Sequence, residues 1–325
     1  MNNSLRIVFM GTPEFAVASL DALVNSRHKV IAVVTAPDRP ASRGLKLQQS
    51  AVKEYAVKNN LKVLQPEKLK DESFINQLKE LNPDLIVVVA FRMLPEVVWK
   101  MPKIGTINMH ASILPDYRGA APINWAIING EKQTGLTVFY INEDIDKGNI
   151  LRWKDVSIEE NDNAGALHDN LMKEGREFLV ETIDAIADGN YSKGTPQGKV
   201  ENDLQHPLKL APKIFKQDCL INWNKPAEQV RNFIRGLSPY PTAWTVFQNK
   251  EGKKLTLKIY ASIVKPDVIL PPGKITVKDS IHIYIGCSDT ALEITELQLE
   301  GRKTMPVADF LRGFRLEEEG WDIVN

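Results

Sequence analysis

Three polar residues in the first half of the chain have the types and spacing of a site that binds an oxyanion and moves a proton. Asn108 and His110 stand two residues apart at the end of an apolar run, GTINMH (105–110), and Asp146 follows in NEDIDKGNI (142–150). An amide donates hydrogen bonds without charge, and a carboxylate beside an imidazole favours the protonated ring. Together such groups can stabilise an oxyanion on a carbonyl and assist proton transfer.

Spacing alone leaves a structural alternative open for these residues. A histidine at a strand end is more often a hydrogen-bonded structural residue than a catalytic one. Asp144 competes with Asp146 as the acid, and either aspartate could cap the turn that Lys147-Gly148 signals. If adjacent loops at one edge of a sheet converge, the acid and the imidazole can still meet.

The elements around these residues predict an α/β fold. Continuous apolar runs at 5–10, 29–37, 84–90 and 105–110 alternate with helical patterns, as in a parallel sheet that is covered on both faces. Ligands of such sheets bind at the carboxyl ends of the strands, where His110 falls. We therefore expect a Rossmann-like, mainly parallel sheet. The dinucleotide fingerprint GxGxxG is missing after the first strand, so NAD or FAD binding is not expected.

The composition indicates two domains and no membrane segment. A chain of 325 residues is long for one core, and no apolar run approaches the ~20 residues that a membrane helix needs. The N-terminus does not have the pattern of a signal peptide, and the two cysteines are far apart, so we expect a cytoplasmic protein without zinc or disulfides.

The predicted domains are 1–190, the sheet domain, 191–208, a polar linker rich in Pro and Gly, and 209–325. Short β-like runs with turns every few residues predict a small OB-like β-barrel in the last of these. The net charge of the whole chain is zero, but residues 206–316 carry 17 Lys and Arg against 10 Asp and Glu. This excess can attract a polyanion or simply solvate the surface.

The string NMHASILPDYRGAAP (108–122), followed by TGLTV (134–138) and IDKG (145–148), closely resembles the folate-dependent formyltransferases. Their pattern is Asn-x-His-x-Ser-Leu-Leu-Pro with an Asp-x-Gly downstream. The resemblance implies a catalytic trio, which in this sequence is Asn108, His110 and Asp146. It also implies 10-formyltetrahydrofolate as the formyl donor, and no metal.

The same resemblance implies two segments that contact the folate. In this chain they consist of Phe91, Arg92, Met93, Leu94, Ser112, Ile113, Leu114 and Pro115. Two positions depart from the family pattern. Ile113 stands where leucine is usual, and Arg92 stands where a glycine more often follows the aromatic residue, which leaves the contacts of Arg92 in the expected pterin pocket open.

Further segments resemble the branch of the family that acts on methionyl-tRNA. One is the basic loop TAPDRPASRGLKLQQSAVK (35–53), whose Arg39, Arg43 and Lys46 are predicted to contact tRNA phosphates. The others, 221–244 and 296–313, resemble the C-terminal barrel of that branch. The implied reaction formylates the α-amino group of methionine on initiator Met-tRNA, and we expect a monomer. Formylation of a sugar-nucleotide amine, or folate or RNA binding without catalysis, are the alternatives.

Overall fold

The structure, a computed structural model, describes residues 4–40, 47–190, 193–314, 316 and 319–324. The chain forms two compact units, and each is assembled from separate stretches of sequence. The first unit comprises Met1–Gly119, Gln133–Ser157 and His168–Leu210, and the second comprises Ala120–Lys132, Ile158–Leu167 and Ala211–Asn325. The division predicted from the sequence was contiguous and stays a prediction.

A seven-stranded sheet is the centre of the first unit. The strands of this unit are β1 (Arg6–Gly11), β2 (Lys29–Val34), β3 (Arg39–Pro40), β4 (Leu47–Gln48), β5 (Val63–Leu64), β6 (Leu85–Val89), β7 (Gly105–His110), β8 (Arg118–Gly119), β9 (Gln133–Tyr140) and β10 (Ile150–Ser157). The order in the large sheet is β10-β9-β7-β6-β1-β2-β5. Neighbouring strands from β7 to β5 are parallel, whereas β9 is antiparallel to both of its neighbours, β7 and β10. The predicted mainly parallel, Rossmann-like sheet is confirmed.

The residues that the structure describes form nine α-helices and one short 3₁₀ helix, Lys216–Cys219. The α-helices are α1 (Glu14–Val24), α2 (Ala51–Lys58), α3 (Glu72–Leu81), α4 (Glu96–Trp99), α5 (Pro122–Ile128), α6 (Ala164–Ala187), α7 (Gln197–Asn202), α8 (Ala227–Leu237) and α9 (Val307–Gly313). The Ser50 hydroxyl caps α2 by accepting from the Lys53 amide at 3.1 Å. Within the described residues, no helix has the length and apolar character needed to cross a membrane.

An antiparallel sheet of nearly closed barrel form makes up most of the second unit. Its strands, together with β11 at the boundary of the units, are β11 (Leu210–Ala211), β12 (Ala243–Gln248), β13 (Lys254–Lys265), β14 (Ile275–Lys278), β15 (His282–Gly286), β16 (Ala291–Leu299), β17 (Met305–Pro306) and β18 (Asp322–Ile323). The order is β14-β15-β16-β13-β12-β18, and β17 pairs with β16. Trp223, Phe247 and Phe310 lie in its core with at most 2% of their surface exposed. The predicted small barrel is confirmed.

Two buried arginines explain why residues 158–167 belong to the second unit. Arg231 donates to the carbonyl of Glu160 at 2.8 Å, and Arg235 donates to that of Asp162, also at 2.8 Å. Burial, and then the neighbouring Arg231, lowers the pKa of Arg235. These two cations therefore satisfy internal carbonyls, and they do not contribute to a basic surface.

Candidate active site

Asn108 and His110 lie near the carboxyl end of β7, and His110 is its last residue. They are separated by one residue, so both side chains leave the strand on the same face. His110 is 7% exposed and is paired with Thr137 of β9, whereas Asn108 is half-buried. In the part of the chain that the structure describes, no group hydrogen-bonds to the Asn108 side-chain amide. Its donors are therefore available to a ligand.

The hydrogen bond of His110 determines which ring nitrogen can serve a substrate. Its Nε2 lies 2.9 Å from the carbonyl oxygen of Tyr117. Because a carbonyl can only accept, Nε2 carries a proton. The other nitrogen, Nδ1, lies 4.0 Å from Oδ2 of Asp146, which is near enough for charge attraction and too long for a hydrogen bond. Nδ1 is therefore the ring nitrogen that remains available to a substrate.

Asp146 is held in its position by contacts to both its side chain and its backbone. Its Oδ2 accepts from the Gly119 amide at 3.0 Å, and its carbonyl accepts from Arg118 Nε at 3.1 Å and Gln197 Nε2 at 2.9 Å. Its φ is +53°, a left-handed conformation that is uncommon for residues other than glycine. Asp144, the competing acid, instead lies exposed with its carboxylate 3.5 Å from Lys147 Nζ.

The approach of Asp146 to His110 does not follow from strand order. Because β9 is antiparallel to β7, Tyr140 at its end pairs with Ile107, three residues before His110. The loop 141–149 therefore leaves the sheet beside the middle of β7 and must return about 10 Å along it, at ~3.3 Å per residue. The acid and the imidazole do meet, as expected, although β9 runs antiparallel to β7.

Close packing requires two glycines of the strings that resemble the family. A Cβ on Gly148 would lie 1.5 Å from the carbonyl oxygen of Tyr140. A Cβ on Gly135 would lie 2.1 Å from the carbonyl oxygen of Lys154 and 2.4 Å from Cδ1 of Ile113. Gly148 thus lets the Asp146 loop cross the end of β9, and Gly135 gives Ile113 its place on the sheet.

The predicted folate segment after β7 is a tightly hydrogen-bonded loop. Ser112 is wholly buried, and its hydroxyl donates to the carbonyl of Asp116 at 2.7 Å. Thr137 Oγ1 donates to the Ser112 carbonyl at 2.7 Å and accepts from the Leu114 amide at 3.0 Å. Ser112 and Leu114 therefore stabilise the conformation of the loop from its buried side.

The exposed surface of the two predicted folate segments comes from other members. Met93 is 70% exposed, and Ile113 and Phe91 are partly exposed. Leu94 and Pro115 are buried, with Leu94 in the cluster of apolar residues beside β6. Residues 91–94 directly follow β6, which is the parallel neighbour of β7, so this surface lies at the carboxyl edge of the sheet.

Arg92 has backbone partners on the neighbouring segment. Its Nη1 donates to the Glu67 carbonyl at 2.7 Å, and its Nη2 donates to the Pro66 carbonyl. Burial of the guanidinium lowers its pKa. Arg92 therefore ties the segment after β6 to the segment after β5, a role that a glycine could not perform.

The basic loop predicted to contact tRNA is described only at its base. Asp38 pairs with Lys53 Nζ at 2.5 Å, and this hydrogen bond lowers the pKa of the Asp38 carboxyl. Arg39 is exposed in β3, which pairs with β4 across the loop. Arg43 and Lys46 lie outside the described residues, so their role stays a prediction.

Some groups that build the site were not identified from the sequence. The Tyr117 carbonyl orients His110, and Gln197 in the predicted linker holds the Asp146 loop. Backbone acceptors leave no trace in residue type, and a glutamine in a polar segment has no distinctive local pattern. In the described part of the chain, no group of three or more His, Cys, Asp and Glu side chains could hold a metal ion.

Known proteins match this chain along nearly its whole length. The Formyl transferase model matches residues 5–183, and the Formyl transferase, C-terminal domain model matches 213–315. A protein of Parabacteroides distasonis named methionyl-tRNA formyltransferase is 50% identical over 96% of both chains. One of the same name from Flavobacterium johnsoniae is 48% identical over 97% of this chain and 98% of its own.

Solved structures show the same fold at lower identity. HypX from Aquifex aeolicus in complex with tetrahydrofolic acid has a TM-score of 0.61 at 19% identity, covering 95% of this chain and 47% of its own. The sugar 3N-formyl transferase WlaRD has a TM-score of 0.62 at 20% identity, covering 92% and 99%. With both domain models matched and half of the residues shared with full-length relatives, this chain belongs to the formyl transferase family.

Proposed function

We propose that this protein transfers the formyl group of 10-formyltetrahydrofolate to the α-amino group of methionine on initiator Met-tRNA. The observation that carries this function is the 50% identity to a methionyl-tRNA formyltransferase over 96% of both chains. That similarity includes the barrel unit as well as the sheet unit, so it covers more than the formyl-transfer chemistry shared by the whole family.

The reaction needs positioning and charge stabilisation more than strong acid or base. Free α-amino groups have pKa values of about 7.7–8.0, and esterification to tRNA lowers this value, so much of the amine is neutral at pH 7. The formyl group of the donor is carried by an aniline-like nitrogen, which leaves readily once protonated. What remains for the protein is to align the amine with the formyl carbon and to stabilise the negative charge that grows on the formyl oxygen.

The geometry supports a distinct role for each member of the trio. His110 can donate to the formyl oxygen only from Nδ1, because the proton on Nε2 is directed to Tyr117. A ring that donates from Nδ1 as well as from Nε2 carries a positive charge, and the Asp146 carboxylate lies 4.0 Å away, where it would attract that charge. Asn108, with its amide unengaged among the described residues, supplies the second donor. Asp146 then assists removal of the amine proton.

Recognition of the tRNA would combine the basic loop with the barrel unit. Arg39 is exposed, and with Arg43 and Lys46 it would contact phosphates of the acceptor stem. Phosphate contacts release counterions, so the affinity for tRNA should fall steeply with salt. Replacement of Arg43 by alanine should raise the KM for tRNA. An unchanged KM and kcat would exclude the loop as a contact.

One assay tests the function and separates it from the alternatives. Purified protein is incubated with methionyl-tRNA, with 10-formyltetrahydrofolate supplied or withheld, and formylmethionyl-tRNA is quantified. We expect product only when the donor is present. Turnover of a sugar-nucleotide amine in place of the charged tRNA would favour the sugar alternative, and folate or tRNA binding without product would indicate a binding protein.

Two variants test the trio within the same assay. Removal of one oxyanion donor in other enzymes costs on the order of 10²–10³ in rate, and we expect at least this loss for His110→Ala and Asn108→Ala. His168→Ala is the matched control, since His168 lies in α6 and, in the part of the chain that the structure describes, pairs only with its neighbour Asp169 and the Phe15 ring. Near-normal turnover of His110→Ala would refute its assignment.

The partner and location proposals follow from the substrate. Charged tRNA is present in the cytoplasm, so we propose that the protein acts there. We also propose that it is a monomer. Light scattering should then give a mass near 36.5 kDa, and a mass twice that would overturn the monomer.

A further inference from the structure

We infer that Gln197 is a positioning residue, which together with Arg118 holds the loop that carries Asp146 within reach of His110. This inference rests on the proposed function. It concerns residues 193–202, a segment that lies between the matched sheet domain and barrel domain and outside the strings that resemble the family.

The side-chain amide of Gln197 is buried and all of its groups are used. It is 2% exposed. Its Nε2 donates to the carbonyl of Asp146 at 2.9 Å and to that of Gly148 at 2.8 Å. Its Oε1 accepts from Nε of Arg118 at 3.1 Å, and also from Nη2. One amide thus binds the loop at two carbonyls, on either side of Lys147.

Arg118, which precedes the loop in the sequence, also donates a hydrogen bond to the carbonyl of Asp146. Its side chain is 9% exposed, and Nε donates to the carbonyl of Asp146 at 3.1 Å. Its Nη2 also pairs with the carboxylate of Glu201, which is one helical turn after Gln197 on α7. Guanidinium, amide and carboxylate form one connected network, so the position of α7 is coupled to that of Asp146.

The segment that carries Gln197 is itself fixed to the first unit. Thr195 and Ile150 exchange backbone hydrogen bonds of 2.8 and 2.7 Å. Val200 of α7 packs against a buried cluster formed by Leu114, Phe139 and Ile150. Leu114 belongs to the loop after β7, so α7 contacts both loops that furnish the site. A residue on such a platform can hold its neighbour to a fraction of an ångström.

The loop requires such support, because neither strand order nor backbone preference places Asp146. The loop returns about 10 Å along β7, and Asp146 adopts a left-handed conformation with φ +53°. Its two carbonyl hydrogen bonds and the bond from the Gly119 amide hold that conformation. Loss of the Gln197 donors would remove these partners from the partly buried carbonyl of Asp146 and the buried carbonyl of Gly148.

Replacement of Gln197 by glutamate gives a sharp perturbation. Glu is isosteric and keeps an acceptor for Arg118, but it replaces the NH₂ group with an oxygen that faces two carbonyl oxygens. We expect the loop to move away. A misplacement of 1 Å can cost about 10² in rate, so kcat should fall by that order, while KM for the folate and for the tRNA changes less than about threefold.

The matched control is Gln205→Glu. Gln205 is exposed and follows this segment, and among the described residues it makes only a local contact of 3.3 Å to the Asp203 carbonyl. The same change of charge there should leave kcat and both KM values unchanged. A loss of kcat in Gln205→Glu equal to that in Gln197→Glu would show that added negative charge is responsible, and would overturn the inference.

A double-mutant cycle with Asp146→Asn distinguishes positioning from a general structural role. If Gln197 acts through the Asp146 carboxylate, Gln197→Glu should change kcat less than about threefold in the Asp146→Asn background, against about 10² in the wild type. Fully additive losses would overturn the inference. If Gln197→Glu does not unfold cooperatively, Gln197→Met, which is uncharged and lacks the donors, replaces it in the cycle.

The wild-type assay separates failure of the inference from failure of the proposed function. If wild-type protein does not formylate methionyl-tRNA, the proposed function is wrong. If it does, and Gln197→Glu and Gln197→Met both retain a kcat within about twofold of it, the function stands and the positioning role of Gln197 is wrong.

Discussion

The replacement of Gly148 by alanine tests how closely the site depends on the path of the loop 141–149. Gly148 lies two residues after Asp146, where the loop passes the end of β9. An added Cβ would lie 1.5 Å from the carbonyl oxygen of Tyr140 and 3.3 Å from the Phe139 ring. The oxygen belongs to the backbone of a strand in the central sheet, so it cannot rotate away as a flexible side chain would.

The required displacement sets the magnitude of the effect. A carbon and an oxygen in contact are normally somewhat more than 3 Å apart, so the loop has to shift by about 1.5 Å or more at this position. Overpacking of this kind costs about 1–3 kcal/mol of stability. Misplacement of a catalytic group by 1 Å can cost about 10² in rate. Since Asp146 is only two residues away, we expect kcat to fall by about 10² or more.

Steady-state formylation of methionyl-tRNA measures this loss, and urea unfolding measures the cost in stability. Gly198→Ala is the matched control, because a Cβ on Gly198 has no atom within 4 Å and the residue lies in α7. In a helix, alanine is favoured over glycine by roughly 0.5–1 kcal/mol, so this variant should be fully active and no less stable. If Gly148→Ala folds and retains kcat within about threefold of the wild type, the reasoning that links loop path to catalysis is refuted.

Three further perturbations test other parts of the structure. Gly135→Ala should lower the free energy of unfolding in urea by about 1–3 kcal/mol and raise the KM for the folate, because its Cβ would lie 2.4 Å from Cδ1 of Ile113. An unchanged KM would show that Ile113 does not contribute to folate binding. Burial alone would raise the pKa of Glu293, but hydrogen bonds from Lys265 and His282 outweigh burial and lower that pKa. The ionised Glu293 therefore stabilises the fold at neutral pH, and this stabilisation is lost as the pH falls through the lowered pKa of the folded state. Glu293→Gln should therefore be less stable than wild type by about 1.5–3 kcal/mol at pH 7, with the difference vanishing in acid; a constant difference at all pH values would contradict this. Burial raises the pKa of Cys287 to about 12 and also raises that of Cys219; neither thiol should react with a disulfide reagent at pH 8 until the protein is unfolded, and rapid labelling of the native protein would show that these sites are open.

Much of the first unit can be predicted from the sequence because buried parallel strands have continuous apolar runs. The run 84–90 predicted the strand found at Leu85–Val89, and the run 105–110 coincides with Gly105–His110. These elements are specified locally, by apolar periodicity and by end signals. They place His110 at the carboxyl edge of the sheet, and the placement of the first two members of the trio follows from them.

The third member of the trio could not be placed in this way, since strand direction and loop path depend on distant contacts. The apolar pattern of β9 is the same whether it runs parallel or antiparallel to β7, yet this direction decides where the loop 141–149 begins. The loop reaches His110 through hydrogen bonds from Arg118, 28 residues before Asp146, and Gln197, 51 residues after it. Family resemblance predicted the aspartate without explaining its position. A glutamine outside the strings that resemble the family satisfies two carbonyls of the loop, and this contact explains where Asp146 lies. The chemistry of the site therefore has to be tested at Gln197 as well as at the predicted trio.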